Sequence, residues 1–348
     1  MTTWQIWVIV AVVTILFFAI VVGNSLVIFA FVKFPRLRTV TNLVVLSLAV
    51  SDLIMGFSMP FTIFLSVFPH SKLFSTVYQC LLPFCVMAAV SFASITNMYI
   101  VTVDRYWAIC YPFRYTAVMT KRRATAAISG AWCFSFSFGF AMPMLWNKGP
   151  FDEGEECTFR NAMSDECAIV VVVVAASLVV LMVAHYTRIG CIASEQMRRI
   201  AATRVNAVGE HQAAHSSRRM IKDRKAACSI AIIIGAFIIL WMPMMIFLLV
   251  ETAPAKDLNI PDLKFTRLLL GCVAISNSCA NPIIYALRMS EFRSAFGRLV
   301  KVNCCCRRKA MLDFEQSSSS GSGEANRAPS GHCATVTEHV NPAFQPES

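Results

Sequence analysis

Seven long apolar runs leave this 348-residue chain very few folds. They cover residues 6–31, 42–67, 77–110, 124–146, 168–193, 226–250 and 266–287, each 22 to 34 residues long. A bilayer hydrocarbon core of about 30 Å needs roughly 20 apolar residues of helix, so every run can cross it with some tilt. Backbone polar groups find no water there and must bond within the segment, which selects helix. A barrel strand would be shorter and would alternate, and these runs do not. Only 15% of the residues are charged, against about 25% in soluble domains. The expected fold is an all-α membrane protein, a bundle of seven transmembrane helices. Seven is odd and no internal repeat is visible, which argues against a transporter built from duplicated halves.

Lysine and arginine set the orientation. With the N-terminus outside, 25 of the 31 basic residues fall on the inner side and 6 on the outer. That is the positive-inside pattern. It assigns the net charge of +11 to anionic cytoplasmic lipid rather than to nucleic acid. The expected organisation is an extracellular N-terminus over 1–5, a membrane domain over 6–287, an amphipathic helix over 290–301 and a disordered cytoplasmic tail over 302–348. The tail contains the run Ser317–Ser320 within a Ser/Gly stretch. No charged segment precedes the first run, so it is expected to act as its own insertion signal.

Several polar residues sit where lipid would penalise them. Asp52 lies ten residues into the second run. A carboxylate at that depth costs roughly 2.5–3.5 kcal/mol and marks a candidate functional site. Asn24, Ser94, Asn277, Ser278 and Asn281 fall at compatible depths. Oxygen ligands converging on one carboxylate suit a small hard cation; each alone reads rather as interhelical glue, and their number at matching depths favours a shared water-and-ion site. Pro243 and Pro282 interrupt the sixth and seventh runs, and Trp241 precedes Pro243 by two residues. Proline kinks a helix, and these positions read either as packing features or as moving parts. No Ser-His-Asp set, phosphate loop or metal-ligand spacing points to an enzyme. His185 is the one histidine within a run, and the sequence shows no partner for it.

Each run carries a motif, and together they resemble the rhodopsin-like (class A) G-protein-coupled receptors over about 1–310. Those motifs are Gly23-Asn24, the stretch Leu46–Asp52, Asp104-Arg105-Tyr106 at the end of the third run, and Trp132 and Pro143 in the fourth. Tyr186, Phe237 with Trp241-Met242-Pro243, and Asn277–Tyr285 complete the set. The resemblance implies that Arg105 meets a heterotrimeric G protein. At rest it would pair with Asp104 and with Asp223, the latter contributing about 1 kcal/mol or less near the surface. Tyr186 and Tyr285 would swing inward on activation. Asp52, Ser94, Asn277, Ser278 and Asn281 would hold an allosteric sodium ion, with no other cofactor. Trp241, Ile95 and Phe237 would relay between ligand and core. Cys80 and Cys157 would form a disulfide, with Cys80–Cys167 an open alternative. Cys304, Cys305 and Cys306 follow the amphipathic segment and read as palmitoylation sites. Ser317–Ser320 reads as a receptor-kinase substrate, with arrestin as partner, or as a plain linker.

Within the family the chain looks most like the adenosine-receptor-like branch. The short N-terminus, Trp146-Asn147, Phe159 two residues after Cys157, and the stretch Ala226–Gly235 carry that likeness. The purine-contacting positions differ, however, being Leu248 and Ile275 here. The aminergic counter-ion position is Met87, and the position of the retinal-binding lysine is Ile275. Leu178 stands where the fifth span would carry proline. The expected small-molecule pocket comprises Met87, Ala88, Ser91, Phe159, Val170, Val174, Trp241, Met244, Met245, Leu248, Gly271 and Ile275. Adenosine-like and lipid-like ligands both remain open. Two readings outside the receptor class are an ion-conducting channel or transporter lined by Asp52, and a seven-helix scaffold that does not signal.

Overall fold

The seven runs fold as helices in a computed structural model that describes residues 1–67, 76–150, 157, 159–206, 231–251 and 262–299. The helices are α1 (Thr3–Lys33), α2 (Val40–Val67), α3 (Val77–Cys110), α4 (Pro112–Val118), α5 (Lys121–Leu145), α6 (Phe159–Ala162) and α7 (Asp165–Asn206). They continue as α8 (Ala231–Glu251), α9 (Leu263–Ile275), α10 (Asn277–Arg288) and α11 (290–299). Among the described residues, seven stretches are long and apolar enough to span a membrane, with α9 and α10 together making the seventh. Among the described residues there is no strand, only an isolated bridge between Asn147 and Met163.

Burial follows the helical period. On α1, Ile9, Val13, Ile20, Asn24 and Val27 are buried, while Ile15, Phe18, Val22 and Phe29 are exposed. The exposed stripe is the face a bilayer covers. Lipid is as apolar as leucine, so helix association rests on close packing and on hydrogen bonds. The helix α3 is the central post, touching α2, α5 and α7. Gly139 lets α5 come close, because a Cβ there would lie 2.5 Å from the backbone nitrogen of Ala89. The main core joins Val27, Leu48, Phe92, Met98, Met182, Phe237 and Tyr285. It also takes in α11, whose Phe292, Ala295, Phe296 and Leu299 are buried at helical spacing.

Four details differ from the sequence expectation. The helix α1 begins at Thr3, inside the 1–5 segment expected to precede the first span. The side chain of Gln5 is 2% exposed, accepts from the backbone N–H of Thr2 at 2.7 Å and donates to Asp262 at 2.6 Å. Secondly, the loop after α3 contains α4, opened by Pro112 at its first position, where a missing N–H costs nothing. Thirdly, α7 runs on to Asn206, well past the apolar limit at 193. Fourthly, the seventh span breaks at Ser276, where the hydroxyl donates to the carbonyl of Val273 at 2.6 Å. Pro282 lies inside α10 and is not the break.

Candidate functional site

Three groups of side chains lie along the bundle, beginning with a cavity near the Cys80 end. It has a volume of about 440 Å³, within the usual range for small-molecule sites. Met87, Ala88 and Ser91 from α3 line it, with Trp241, Met244, Met245 and Leu248 from α8 and Gly271 and Ile275 from α9. The α7 wall departs from expectation. Val171, Val172, Ala175, Ala176, Val179 and Val180 form it, and Val170 and Val174 do not. Five consecutive valines, Val170–Val174, carry no amphipathic phase, so a one-residue slip of about 100° could not be detected from the sequence. The side chain of Phe159 lies outside the described residues. Lys264 and Arg267 also line the cavity. The sequence reading missed both, although two basic residues at a span end were a visible signal. Arg267 donates to the carboxylate of Glu251, with Nε 3.2 Å from Oε2.

In the cavity wall, Trp241 and Phe237 stack at 5.7 Å between ring centroids. Ile95 lines the cavity beside them. The second group surrounds Asp52, which is 1% exposed. The hydroxyl of Ser278 donates to Oδ1 of Asp52 at 2.7 Å, and Nδ2 of Asn281 donates to Oδ2 at 2.9 Å. Asn24 is tied in by the backbone. Pro282 has no N–H to give the carbonyl four residues back, and Nδ2 of Asn24 donates to that carbonyl, of Ser278, at 3.1 Å. Four buried side-chain oxygens on α1, α3 and α10 have no hydrogen-bond partner: Oδ1 of Asn24, Oγ of Ser94, Oδ1 of Asn277 and Oδ1 of Asn281. A buried oxygen without a donor is costly. Together with the carboxylate, this donor set is all oxygen and fits a small hard cation such as sodium.

The third group closes the Arg105 end. Asp104 is 1% exposed. Its Oδ2 accepts from the Thr41 hydroxyl at 2.7 Å and from Nε of Arg105 at 3.0 Å, and its Oδ1 accepts from the Tyr115 hydroxyl at 2.8 Å. Arg105 also donates to the Thr41 hydroxyl. Burial, and then the adjoining Asp104 carboxylate, push the Tyr115 phenol up to about 12, so it stays a neutral donor. The sequence reading missed Thr41 and Tyr115. Tyr106 points elsewhere, its ring edge-on to His185 at 5.3 Å. His185 does have partners, since its Nδ1 lies 2.8 Å from the carbonyl of Leu181. The hydroxyl of Tyr186 is buried without a partner, and Tyr285 is buried against Phe292 at 5.7 Å. Asp223 lies outside the described residues.

A disulfide joins Cys80 to Cys157, and Cys167 is a buried free thiol. Cys304, Cys305 and Cys306 lie outside the described residues.

Residues 23–285 match the family described as 7 transmembrane receptor (rhodopsin family). The D(1C) dopamine receptor of Xenopus laevis is 33% identical over 321 residues, 84% of this chain and 67% of that receptor. The histamine H2 receptor of Cavia porcellus is 30% identical over 323 residues, 90% of this chain and 84% of its own length. The adenosine receptor A2a of Homo sapiens is 30% identical over 300 residues, covering 81% and 69% of the two chains.

Proposed function

The chain belongs to the rhodopsin family of seven-transmembrane receptors, and we propose that it couples an extracellular small molecule to a heterotrimeric G protein. In this reading it sits in the plasma membrane with its N-terminus outside, as the Lys and Arg distribution favours. The observation that carries the proposal is the restrained arginine. Arg105 is held by Asp104 and Thr41 at the inner end of α3, and Asp104 is held in turn by Tyr115. A guanidinium so placed can be released to a partner when α3 and its neighbours shift. The cavity and the Trp241–Phe237 stack lie at the other end of the same core, which gives ligand binding a packed path to that restraint.

Ligand identity stays unassigned at this level. The names of the relatives point to dopamine, histamine and adenosine. Among the described residues, the cavity lining contains no carboxylate to balance an amine. Leu248 and Ile275 cannot hydrogen-bond a purine through their side chains, and each buried group left unpaired would cost roughly 1–3 kcal/mol. A sodium ion at Asp52, Ser94, Asn277, Ser278 and Asn281 would add positive charge to a buried carboxylate and favour the resting packing. Receptor kinases, arrestin and membrane lipid complete the set of partners, with the palmitoylated cysteines Cys304–Cys306 holding the tail to the bilayer.

The test compares basal nucleotide exchange on purified G proteins by wild type, Arg105→Ala and Thr41→Val, at matched surface expression. Thr41→Val removes one restraint on Arg105. Losing a hydrogen bond to a charged group is worth about 1–3 kcal/mol, so basal exchange should rise about fivefold or more. Arg105→Ala should abolish it in either background. Exchange unchanged by both substitutions would count against the mechanism and bring a transport function forward.

A further inference from the structure

The lining of the cavity extends this receptor reading to a ligand class. Two basic residues, Lys264 and Arg267, line its α9 edge, and no carboxylate is among its described lining residues. Arg267 spends Nε and one terminal nitrogen on Glu251, and a guanidinium carries five N–H donors. The hydroxyl groups in the wall are committed to the backbone: Ser91 donates to the carbonyl of Met87 at 2.7 Å and Thr62 to that of Met59 at 2.8 Å. Directional polar recognition therefore concentrates at the α9 edge. Along α8 the apolar wall spans the twelve residues from Phe237 to Leu248, about 16 Å at the helical rise of 1.5 Å per residue. Val180 and Met242 belong to that wall, yet they are 65% and 52% exposed on the bundle surface. The apolar lining thus continues onto the face that the bilayer covers, between α7 and α8.

We propose that the cavity binds a single-chain amphiphile with an acidic head group, a carboxylate or a phosphate. The head sits at Arg267, beside Lys264, the chain runs along α8 towards Phe237, and entry is from the bilayer between α7 and α8. This assignment rests on the receptor reading above. A polymethylene chain gains with every carbon that leaves water for such a wall, and a charge-assisted bond to a guanidinium fixes the head.

The experiment uses the full chain in nanodiscs of neutral phosphatidylcholine, with tritiated oleate, oleoyl lysophosphatidate and oleyl alcohol as probes. At least one acid should bind saturably and at least about tenfold more tightly than the alcohol. The comparison of oleate with lysophosphatidate tells carboxylate from phosphate. Lys264→Gln combined with Arg267→Gln and Glu251→Gln, which strands no charge at Glu251, should weaken the acid about tenfold or more and leave the alcohol unchanged. Ala88→Phe, which fills the wall and spares the charges, should abolish binding of all three. Equal affinity for acid and alcohol, or no saturable binding of either acid to the wild type, overturns the proposal without needing any variant. Binding is read without G protein, and the basal nucleotide exchange of the same preparation is read separately. Exchange without acid binding sinks the ligand class alone, and acid binding without exchange supports it while counting against the signalling reading.

Discussion

At the scale of single residues, burial of charge explains most of what can be read from the sequence. Asp52 was legible because a carboxylate in lipid is too costly to be incidental, and the structure surrounds it with donors from Ser278 and Asn281. Thr41 and Tyr115 were not legible. A threonine at a helix start and a tyrosine in a loop are ordinary residues, and only the fold brings both onto Asp104. Two outcomes follow from the central cluster. If its unpartnered oxygens hold sodium, replacing KCl with NaCl should lower basal G-protein activation and raise the thermal midpoint of the wild type. Asp52→Asn keeps the shape but removes the charge, and both salt effects should vanish. A salt response that persists in Asp52→Asn would place the ion elsewhere. The second outcome concerns the carbonyl that Pro282 releases and Asn24 occupies. Asn24→Ala should cost about 1–3 kcal/mol of stability by stranding that oxygen. In a Pro282→Ala background the helix can bond its own carbonyl, so the same substitution should cost at least about 1 kcal/mol less. Equal losses in the two backgrounds would show that the contact carries no energy.

Whole elements were legible where lipid imposes length, and less so where contacts set the phase. All seven spans stand out because about 20 apolar residues have no other common use. The amphipathic spacing of Phe292 and Phe296 likewise marks α11, which the structure buries on that face. The register of α7 was hidden in its valine run, and the break at Ser276 was hidden because Pro282 is the stronger helix breaker by residue type. Close approach of elements also depends on what is missing. Gly139 admits α5 to within contact of the Ala89 backbone, whereas a Cβ at Gly130 would meet nothing within 4 Å. Gly139→Ala should therefore destabilise the purified receptor by about 1–3 kcal/mol through overpacking. Gly130→Ala should be neutral or stabilise by up to about 1 kcal/mol through helix propensity. Thermal unfolding of the two variants side by side decides the matter, and similar shifts would remove the close-approach argument.

For the whole molecule, the layout is an apolar cavity, a buried polar cluster and a restrained arginine stacked along one post, α3. The helix α7 continues beyond that stack. At 42 residues it is about 63 Å long, roughly twice the hydrocarbon thickness. Ser194→Pro should interrupt it just beyond the membrane boundary while sparing the cavity. Ligand binding should then survive, and coupling to the G protein should fall by about tenfold or more. Coupling that is unaffected would show that the extension plays no part. Mechanically, the extension makes α7 a lever with unequal arms. Its short arm is the cavity wall up to Val180, and its long arm is the 26 residues from there to Asn206, about 39 Å. A rocking of about 10° that shifts the outer edge of the wall by about 2 Å would sweep the far tip by about 7 Å. The binding end thus trades force for travel, and small changes in ligand shape become displacements large enough for a protein partner to register.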